Sequence, residues 1–287
     1  MLIIAGTIPI KNMPLICGTP EFENNQLIIG DCKIPVGQGT SSLIFAAYKV
    51  IEFFKTHQPC IVVAGDIGYG DGTRKIYNYL IENINILKPN ILTLHYCLPI
   101  IKLIKNLIDK IENNRLPTKI IADASSMYAA KAAGLSKKFE IFTPDMSELS
   151  FLADKDAVHP AFMRKHLFVE NENIKKLIKN AYEYNNTPSY LIIKGKTDYI
   201  VKDGEIVETI SDPNIPAMEA IGGTGDTITG LLSGFIESGF DTINAIKIAA
   251  IINRLSGIEA KVTVASKITE LINVFDNCLK KYFNKCT

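Results

Sequence analysis

Short β-branched runs, each closed by a Gly- or Asp-bearing turn and followed by a helical pattern, recur along most of this chain. Cys60–Ala64, Ile91–His95, Lys119–Ala122, Phe139–Phe142 and Tyr190–Lys194 read as strands. Helical patterns cover about Leu43–Phe54, Thr73–Asn83, Leu98–Glu112, Ser126–Ala133 and Ile174–Tyr184. Strands that alternate with helices pair in parallel, and the helices cover both faces of the sheet. This predicts an α/β fold, a three-layer α/β/α sandwich with a mainly parallel central sheet. Asp198–Lys202 and Ile206–Ile210 flank Asp203-Gly204 and predict a hairpin. From Thr224 onward the pattern is helical, over about 225–238, 242–256 and 266–281. No Gly/Ser or Pro-rich linker, repeat or low-complexity tract interrupts the 287 residues, so 1–287 is expected to form a single domain.

In such sheets ligands bind outside the carboxyl ends of the strands. The turns holding Gly65–Gly70, Asp123, Asp145 and Lys194–Lys196 all fall there. The segment that speaks most directly of chemistry is Met218–Leu231, which contains Gly222-Gly223-Thr224-Gly225-Asp226 just before the apolar run Ile228, Leu231, Leu232, Phe235. Glycines let backbone N–H groups turn toward a ligand, and a helix start adds unpaired donors and the positive end of the dipole. Asp226 falls in the first turn, beside the place where an anion would sit. A carboxylate there either caps its own helix or takes a proton from an attacking hydroxyl. The uninterrupted succession of glycines, Thr and Asp favours the second role.

Other segments carry weaker signals. Asp145 and Glu148, three apart at a helix start, share a face. They are suited either to hold Mg2+ through water or to close a capping box. Lys194-Gly195-Lys196-Thr197-Asp198 follows an apolar strand and offers positive charge to phosphates, or simply an exposed turn. The Gly65–Gly70 loop brings backbone close to any ligand, and Val36-Gly37-Gln38-Gly39-Thr40-Ser41-Ser42 leads into a helix N-terminus or is a structural turn. His159, in a loop before Pro160, reads as a surface residue.

Composition narrows the partners. A hydrophobic fraction of 47% and a charged fraction of 21% are those of an ordinary globular protein. A net charge of +1 provides no electrostatic case for nucleic acid or a membrane surface. Lys175, Lys176 and Lys179 fall on an amphipathic pattern and read as a solvated face. The six cysteines are scattered, without metal-type spacing. The apolar start, Met1–Gly6, is too short for a signal peptide, and no run is long enough to cross a bilayer, so a cytoplasmic location is expected. The expected partners are a small-molecule substrate and a nucleotide, and a homo-oligomer is compatible with the sequence.

These residues resemble those of the ribokinase-like superfamily, and within it the ATP- or ADP-dependent NAD(P)H-hydrate dehydratases. The resemblance is densest through Ile192-Ile193-Lys194-Gly195, Pro216-Ala217-Met218 and Gly222–Gly230, and looser at Gly68-Tyr69-Gly70, Asp123, Thr143-Pro144 and Glu148. It implies a ribokinase-like three-layer sandwich, with ATP or ADP and Mg2+ as cofactors. Asp226 would be the catalytic acid that activates a substrate hydroxyl. Gly222, Gly223, Thr224 and Gly225 would form the anion hole for the transferring phosphoryl group. Lys194, Gly195, Lys196, Thr197 and Asp198 would contact the nucleotide. Gly37, Gly39, Ser42, Gly68, Gly70, Asp123 and Asp145 would line the substrate pocket, with Glu148 holding metal through water. The chain departs from the family where dehydratases read Thr-Pro-His-Pro-Gly-Glu and this sequence reads Thr143-Pro144-Asp145-Met146-Ser147-Glu148. Asp145 and Glu148 there resemble the Asn-x-x-Glu of vitamin-precursor kinases. The competing functions are therefore a kinase of a small alcohol (a hydroxymethylpyrimidine, a thiazole alcohol or a sugar) and a nucleotide-binding regulator without turnover.

Overall fold

The computed structural model describes residues 1–158 and 174–284. Nine strands form one sheet. They are β1 (Leu2–Ile8), β2 (Ile16–Gly18), β6 (Cys60–Gly65), β7 (Ile91–His95), β8 (Lys119–Asp123), β9 (Ile141–Phe142), β10 (Tyr190–Ile193), β11 (Asp198–Lys202) and β12 (Glu205–Ile210). Their order is β12-β11-β10-β9-β8-β7-β1-β6-β2. Pairing is parallel from β6 through β1, β7, β8 and β9 to β10. It is antiparallel at both edges, where the predicted β11–β12 hairpin closes one side and β2 the other. A second, three-stranded sheet holds β3 (Glu21–Glu23), β4 (Gln26–Ile29) and β5 (Cys32–Pro35).

Side chains alternate across the sheet with the period of two that a strand imposes. On β1, Leu2 and Ile4 enter one core and Ile3 and Ala5 the other. On β6, Ile61 and Val63 face the first, and Val62 and Ala64 the second. The first core is closed by α1 (Thr40–Phe54), α7 (Thr224–Glu237), α8 (Thr242–Glu259), α9 (Ile268–Asn273) and α10 (Phe275–Phe283). The second is closed by α2 (Asp71–Leu87), α3 (Ile101–Asn113), α4 (Ser125–Ala132), α5 (Met146–Ala153) and α6 (Ile174–Glu183). The result is the expected three-layer α/β/α arrangement. Lys175, Lys176 and Lys179 lie on the exposed face of α6, as expected.

Several elements differ from the sequence reading. Leu2–Ile8 is a strand inside the sheet, between β7 and β6, buried at every position. Its unbroken apolar run has no preceding turn to mark it as one. The β3–β4 turn, at Asn24-Asn25 with φ of 50° and 59°, was likewise not anticipated. Helix α1 starts at Thr40 rather than Leu43, because Gly39, at φ 92°, is its N-cap and the hydroxyl-bearing Thr40, Ser41 and Ser42 are buried in its first turn. The predicted helix over 266–281 is two helices that meet at Val274. Buried Leu271, Ile272, Phe275, Cys278 and Leu279 keep helical spacing through the break, so periodicity alone does not reveal it.

Helices α1 and α7 pack side by side with two glycines at the seam. A Cβ on Gly230 would meet the Leu43 carbonyl oxygen and, at 2.9 Å, Ala46 Cβ. A Cβ on Gly234 would lie 2.8 Å from Val50 Cβ and 3.0 Å from the Ala47 carbonyl oxygen. Gly230→Ala should gain up to about 1 kcal/mol in helix propensity, but the backbone carbonyl it strikes cannot rotate away. Overpacking of this kind costs roughly 1–3 kcal/mol, so a net loss is expected. A denaturant melt of the variant checks this, and an unchanged or raised midpoint would show that the seam is loose.

Candidate active site

The parallel strands end together, and their ends carry the polar groups. His95 closes β7, Asp123 closes β8, and Lys194 follows β10. Helix α7 brings Asp226 over them from the neighbouring layer. The first hydrogen bond of that helix runs from Thr227 N to Gly223 O (3.0 Å). The N–H groups of Thr224, Gly225 and Asp226 thus precede the ladder, with no carbonyl of their own helix to accept them. Gly223, at φ 103°, makes the turn that starts the helix. A cavity of about 420 Å³ opens at this point, walled by Gly223, Thr224, Gly225 and Asp226 together with Asp123, Asp145, Glu148, Lys194, Gly195, Lys196 and Asp198.

Asp226 does not cap its own helix. Its Oδ2 accepts from the Gly39 N–H at 2.6 Å, and its Oδ1 lies 3.1 Å from His95 Nε2. Burial alone would raise this carboxyl, but the His95 contact, with Lys194 and the Gly39 amide, outweighs it and holds the pKa at about 2. Asp226 is therefore ionised at neutral pH. The ring of His95 is fully buried, and its Nδ1 sits 2.9 Å from Thr40 Oγ1.

Lys194 is not an exposed strand-end lysine. Its Nζ donates to Asp123 Oδ1 at 2.9 Å. Burial would lower the ammonium, yet Asp123 and Glu148 beside it carry it above the ordinary lysine value. Asp123 also accepts from the Ala124 N–H at 2.8 Å and the Thr229 hydroxyl at 2.6 Å. Among the described residues, His95, Asp123 and Asp226 each place a possible ligand atom within 4.8 Å of one another. The Lys194 ammonium is paired with Asp123, so the cluster stands as an ion network.

Asp145 and Glu148 form the capping box that the sequence allowed. Asp145 Oδ1 accepts from Glu148 N–H (2.8 Å), and Glu148 Oε2 accepts from Asp145 N–H (2.9 Å). The Tyr128 hydroxyl donates to Glu148 Oε1 at 3.0 Å. Burial, with Asp123 and Asp145 nearby, pushes Glu148 up to about 7 against the opposing pull of Lys194. Each Glu148 oxygen already accepts one of these hydrogen bonds, Oε2 within the box and Oε1 from Tyr128. Water-mediated contact to Mg2+ remains compatible with the oxygen donors this wall presents.

Some expected site residues lie elsewhere. Gly68 and Gly70 are not in the cavity wall, because their N–H groups turn back onto Asp66 Oδ1 at 3.0 and 2.9 Å. With Thr73 they make Asp66 the anchor of the α2 start, and despite partial burial these bonds hold it below its usual range. Gly37 donates to Ser41 Oγ (3.1 Å), and the Ser42 hydroxyl donates to Gly39 O (2.8 Å), so both shape the α1 entry without lining the cavity. Gly222 is packed against Gln38, whose side chain would collide with a Cβ there, and neither it nor Thr197 is in the wall. Gly39 acts through its amide on Asp226. His159 lies outside the described residues.

His95, Arg254, Gln38 and Asn253 were not singled out from the sequence. Arg254 is buried and grips two loops at once. Its Nε donates to Asp198 Oδ2 (2.8 Å), Nη2 to the carbonyls of Gly195 (2.9 Å) and Lys196 (3.0 Å), and Nη1 to those of Ser211 (3.2 Å) and Pro213 (3.3 Å). The available signal was spacing: Ile246, Ala250 and Arg254 step by four along the buried face of α8, where an arginine must have partners.

Comparisons with known proteins bear on the family and the fold. A family profile described as NAD(P)H-hydrate dehydratase matches residues 95–275, more than half of the chain. The chain belongs to that family. An uncharacterized protein of Methanocaldococcus jannaschii is 40% identical over 239 residues, 83% of this chain and 98% of that one. The ADP-dependent (S)-NAD(P)H-hydrate dehydratase of Nitrosopumilus maritimus is 28% identical over 158 residues, 55% of this chain and 48% of its own length. Among solved structures, the ADP/ATP-dependent NAD(P)H-hydrate dehydratase of Bacillus subtilis, co-crystallized with ATP/Mg2+, aligns with a TM-score of 0.55 at 14% identity, covering 98% of this chain and 88% of that one. Ribokinase of Arabidopsis thaliana aligns with a TM-score of 0.53 at 13% identity, over 96% and 98% of the two chains. The fold is ribokinase-like. Among the described residues, no helix is long and apolar enough to cross a membrane.

Two expectations follow for this family member. Replacing Arg254 by Met strands the Asp198 carboxylate in the interior, a loss of about 3–5 kcal/mol. Adding Asp198→Asn to Arg254→Met should recover part of it, and melting curves of the three proteins test the pairing. Glu148 concerns pH. Its folded-state value lies above the ordinary carboxyl value of 4.5, so its contribution to stability is fully present below pH 4.5 and is lost as pH rises through about 7. The melting temperature of the wild type minus that of Glu148→Gln should therefore fall between pH 4.5 and pH 7, and a flat difference would contradict the assignment.

Proposed function

We propose that this protein dehydrates hydrated NAD(P)H, using ATP or ADP as phosphoryl donor. The observation that carries the reading is Asp226, an ionised carboxylate fixed at both oxygens in the cavity wall beside the anion-directed amides of Thr224 and Gly225. The family membership supports the substrate class. In this reaction the C6 hydroxyl of the hydrated ring gives its proton to Asp226 as its oxygen attacks the terminal phosphoryl group. The new O–P bond forms as the bond to the remaining nucleotide breaks. Loss of phosphate from C6 and of a proton from C5 then restores the dihydropyridine.

The N-terminus of α7 favours the negative charge that the phosphoryl oxygens carry, since its unpaired N–H groups and dipole point the same way. Such preorganised donors supply most of the stabilisation in phosphoryl transfer. Arg254 ties the Gly195–Lys196 turn to the 211–213 loop and so shapes the nucleotide side of the cavity. Asp145 and Glu148 would hold Mg2+ through water, and the ion would neutralise phosphate charge. The same machinery serves a kinase of a small alcohol. That second reading is favoured by one observation, the Asp145–Glu148 capping box at the position where dehydratases carry a histidine.

Asp226→Asn tests the role of the base. An amide cannot accept the hydroxyl proton, so turnover should fall by roughly 10²–10⁴-fold. Nucleotide binding should persist, because a negative charge beside the phosphates has gone. The variant offers one acceptor oxygen where Asp226 offers two, so its melting temperature must be recorded and the assay run well below it. Turnover close to that of the wild type, followed by the return of NADH absorbance, would end the reading of Asp226 as base.

A further inference from the structure

We infer that His95 is a positioning residue for Asp226, holding a proton on Nε2 against the carboxylate while Nδ1 keeps a second proton on Thr40. The inference rests on the reading of Asp226 as the base. Three short contacts run in series: Thr7 O to Thr40 Oγ1 at 2.7 Å, Thr40 Oγ1 to His95 Nδ1 at 2.9 Å, and His95 Nε2 to Asp226 Oδ1 at 3.1 Å. Each needs one proton between its two heavy atoms, since a lone pair facing a lone pair at these distances is repulsive. The Thr7 carbonyl can only accept, so the Thr40 hydroxyl proton is committed to it. Thr40 Oγ1 can then only accept, which places a proton on His95 Nδ1. The last contact needs a third proton, carried either by His95 Nε2 or by the Asp226 carboxyl, and the Gly39 N–H on Oδ2 favours the carboxylate and so leaves the proton on the ring. An imidazolium facing an ionised Asp226 satisfies all three.

The surroundings accommodate that charge. His95 is fully buried, with Asp226 from α7 and Asp123 from β8 (3.8 Å from Nε2) as its ionisable neighbours, Thr40 from α1 below it and the Tyr96 ring edge-on at 4.4 Å. Lys194 lies on the far side of Asp123. With Gly39 N–H on Oδ2 and His95 on Oδ1, the Asp226 carboxylate cannot rotate, and its remaining lone pairs are presented to the cavity. The arrangement also carries an electrostatic consequence. When Asp226 takes the proton of the substrate hydroxyl, the Asp226–His95 pair passes from neutral to a net single positive charge. That charge appears beside the transferring phosphoryl group at the moment its negative oxygens need stabilisation.

Two measurements test this. The first requires no substrate: 15N chemical shifts of the His95 ring in the ligand-free protein at neutral pH. Protonation of both nitrogens is expected whatever the protein's substrate, and a bare Nδ1 or a bare Nε2 would overturn the inference. The second is His95→Gln, whose amide still reaches Asp226 as a donor but carries no charge. Turnover number should fall by about 10–100-fold with the KM for nucleotide little changed, as when partners that orient metal-binding side chains are lost. Without the neighbouring cation the Asp226 carboxyl rises from about 2, so the acid limb of the pH–rate profile should move to higher pH. An acid limb and turnover number like those of the wild type would reduce His95 to a packing residue. A wild type with no dehydratase turnover but two protonated nitrogens would refute the function and leave the positioning role standing.

Discussion

The close approach of α1 and α7 is the constraint on which the site depends. The two helices run in the same direction and touch at three levels, each one turn above the last. Asp226 meets the Gly39 N–H, Gly230 meets the Leu43 carbonyl, and Gly234 meets the Ala47 carbonyl. Both members of each pair advance by four residues, so two helices in backbone contact hold one register over the length of the seam. The glycines of α7 thus have a purpose beyond packing. They permit the register in which an amide 187 residues away from Asp226 donates to its carboxylate.

Around that seam the protein buries more charge than stability alone would recommend. His95, Asp123, Lys194 and Asp226 are all largely removed from solvent. Desolvating such groups costs several kcal/mol apiece, and pairing returns that energy only when every lone pair and proton is placed. Here Asp123 has Lys194, Thr229 and Ala124, and Asp226 has Gly39 and His95, with its remaining lone pairs open to the cavity. The Arg254–Asp198 pair repeats the principle at the Gly195–Lys196 turn. A network of this kind gains little stability over an apolar core but holds each group in one position, which is what proton transfer and phosphoryl binding require.

The layered fold was legible from strand–helix alternation because its strands are short, apolar and separated by turns. Where the punctuation was missing, as before Leu2–Ile8 and within 266–281, the pattern was silent or misleading. The glycine turn and Asp226 were legible because a helix start has a local signature. The partners of Asp226 were not, since the amide of Gly39 and the ring of His95 reach it only through the fold. Gly68 and Gly70 show the converse. A Gly-rich loop after a strand suggests ligand contact, yet Asp66, two residues before Gly68, had a stronger local claim on its amides. Arg254 was visible only as an oddity on an apolar helix face, and its five bonds reach loops 41 to 59 residues earlier in the chain.

The most direct test of Asp226-driven dehydration follows two signals from one reaction of the purified protein with hydrated NADH, Mg2+ and either ATP or ADP. NADH absorbance should return and inorganic phosphate should appear in equal amounts, one of each per nucleotide consumed. Nucleotide consumption with phosphate retained on an organic product, or absorbance that stays flat with both donors, would contradict it.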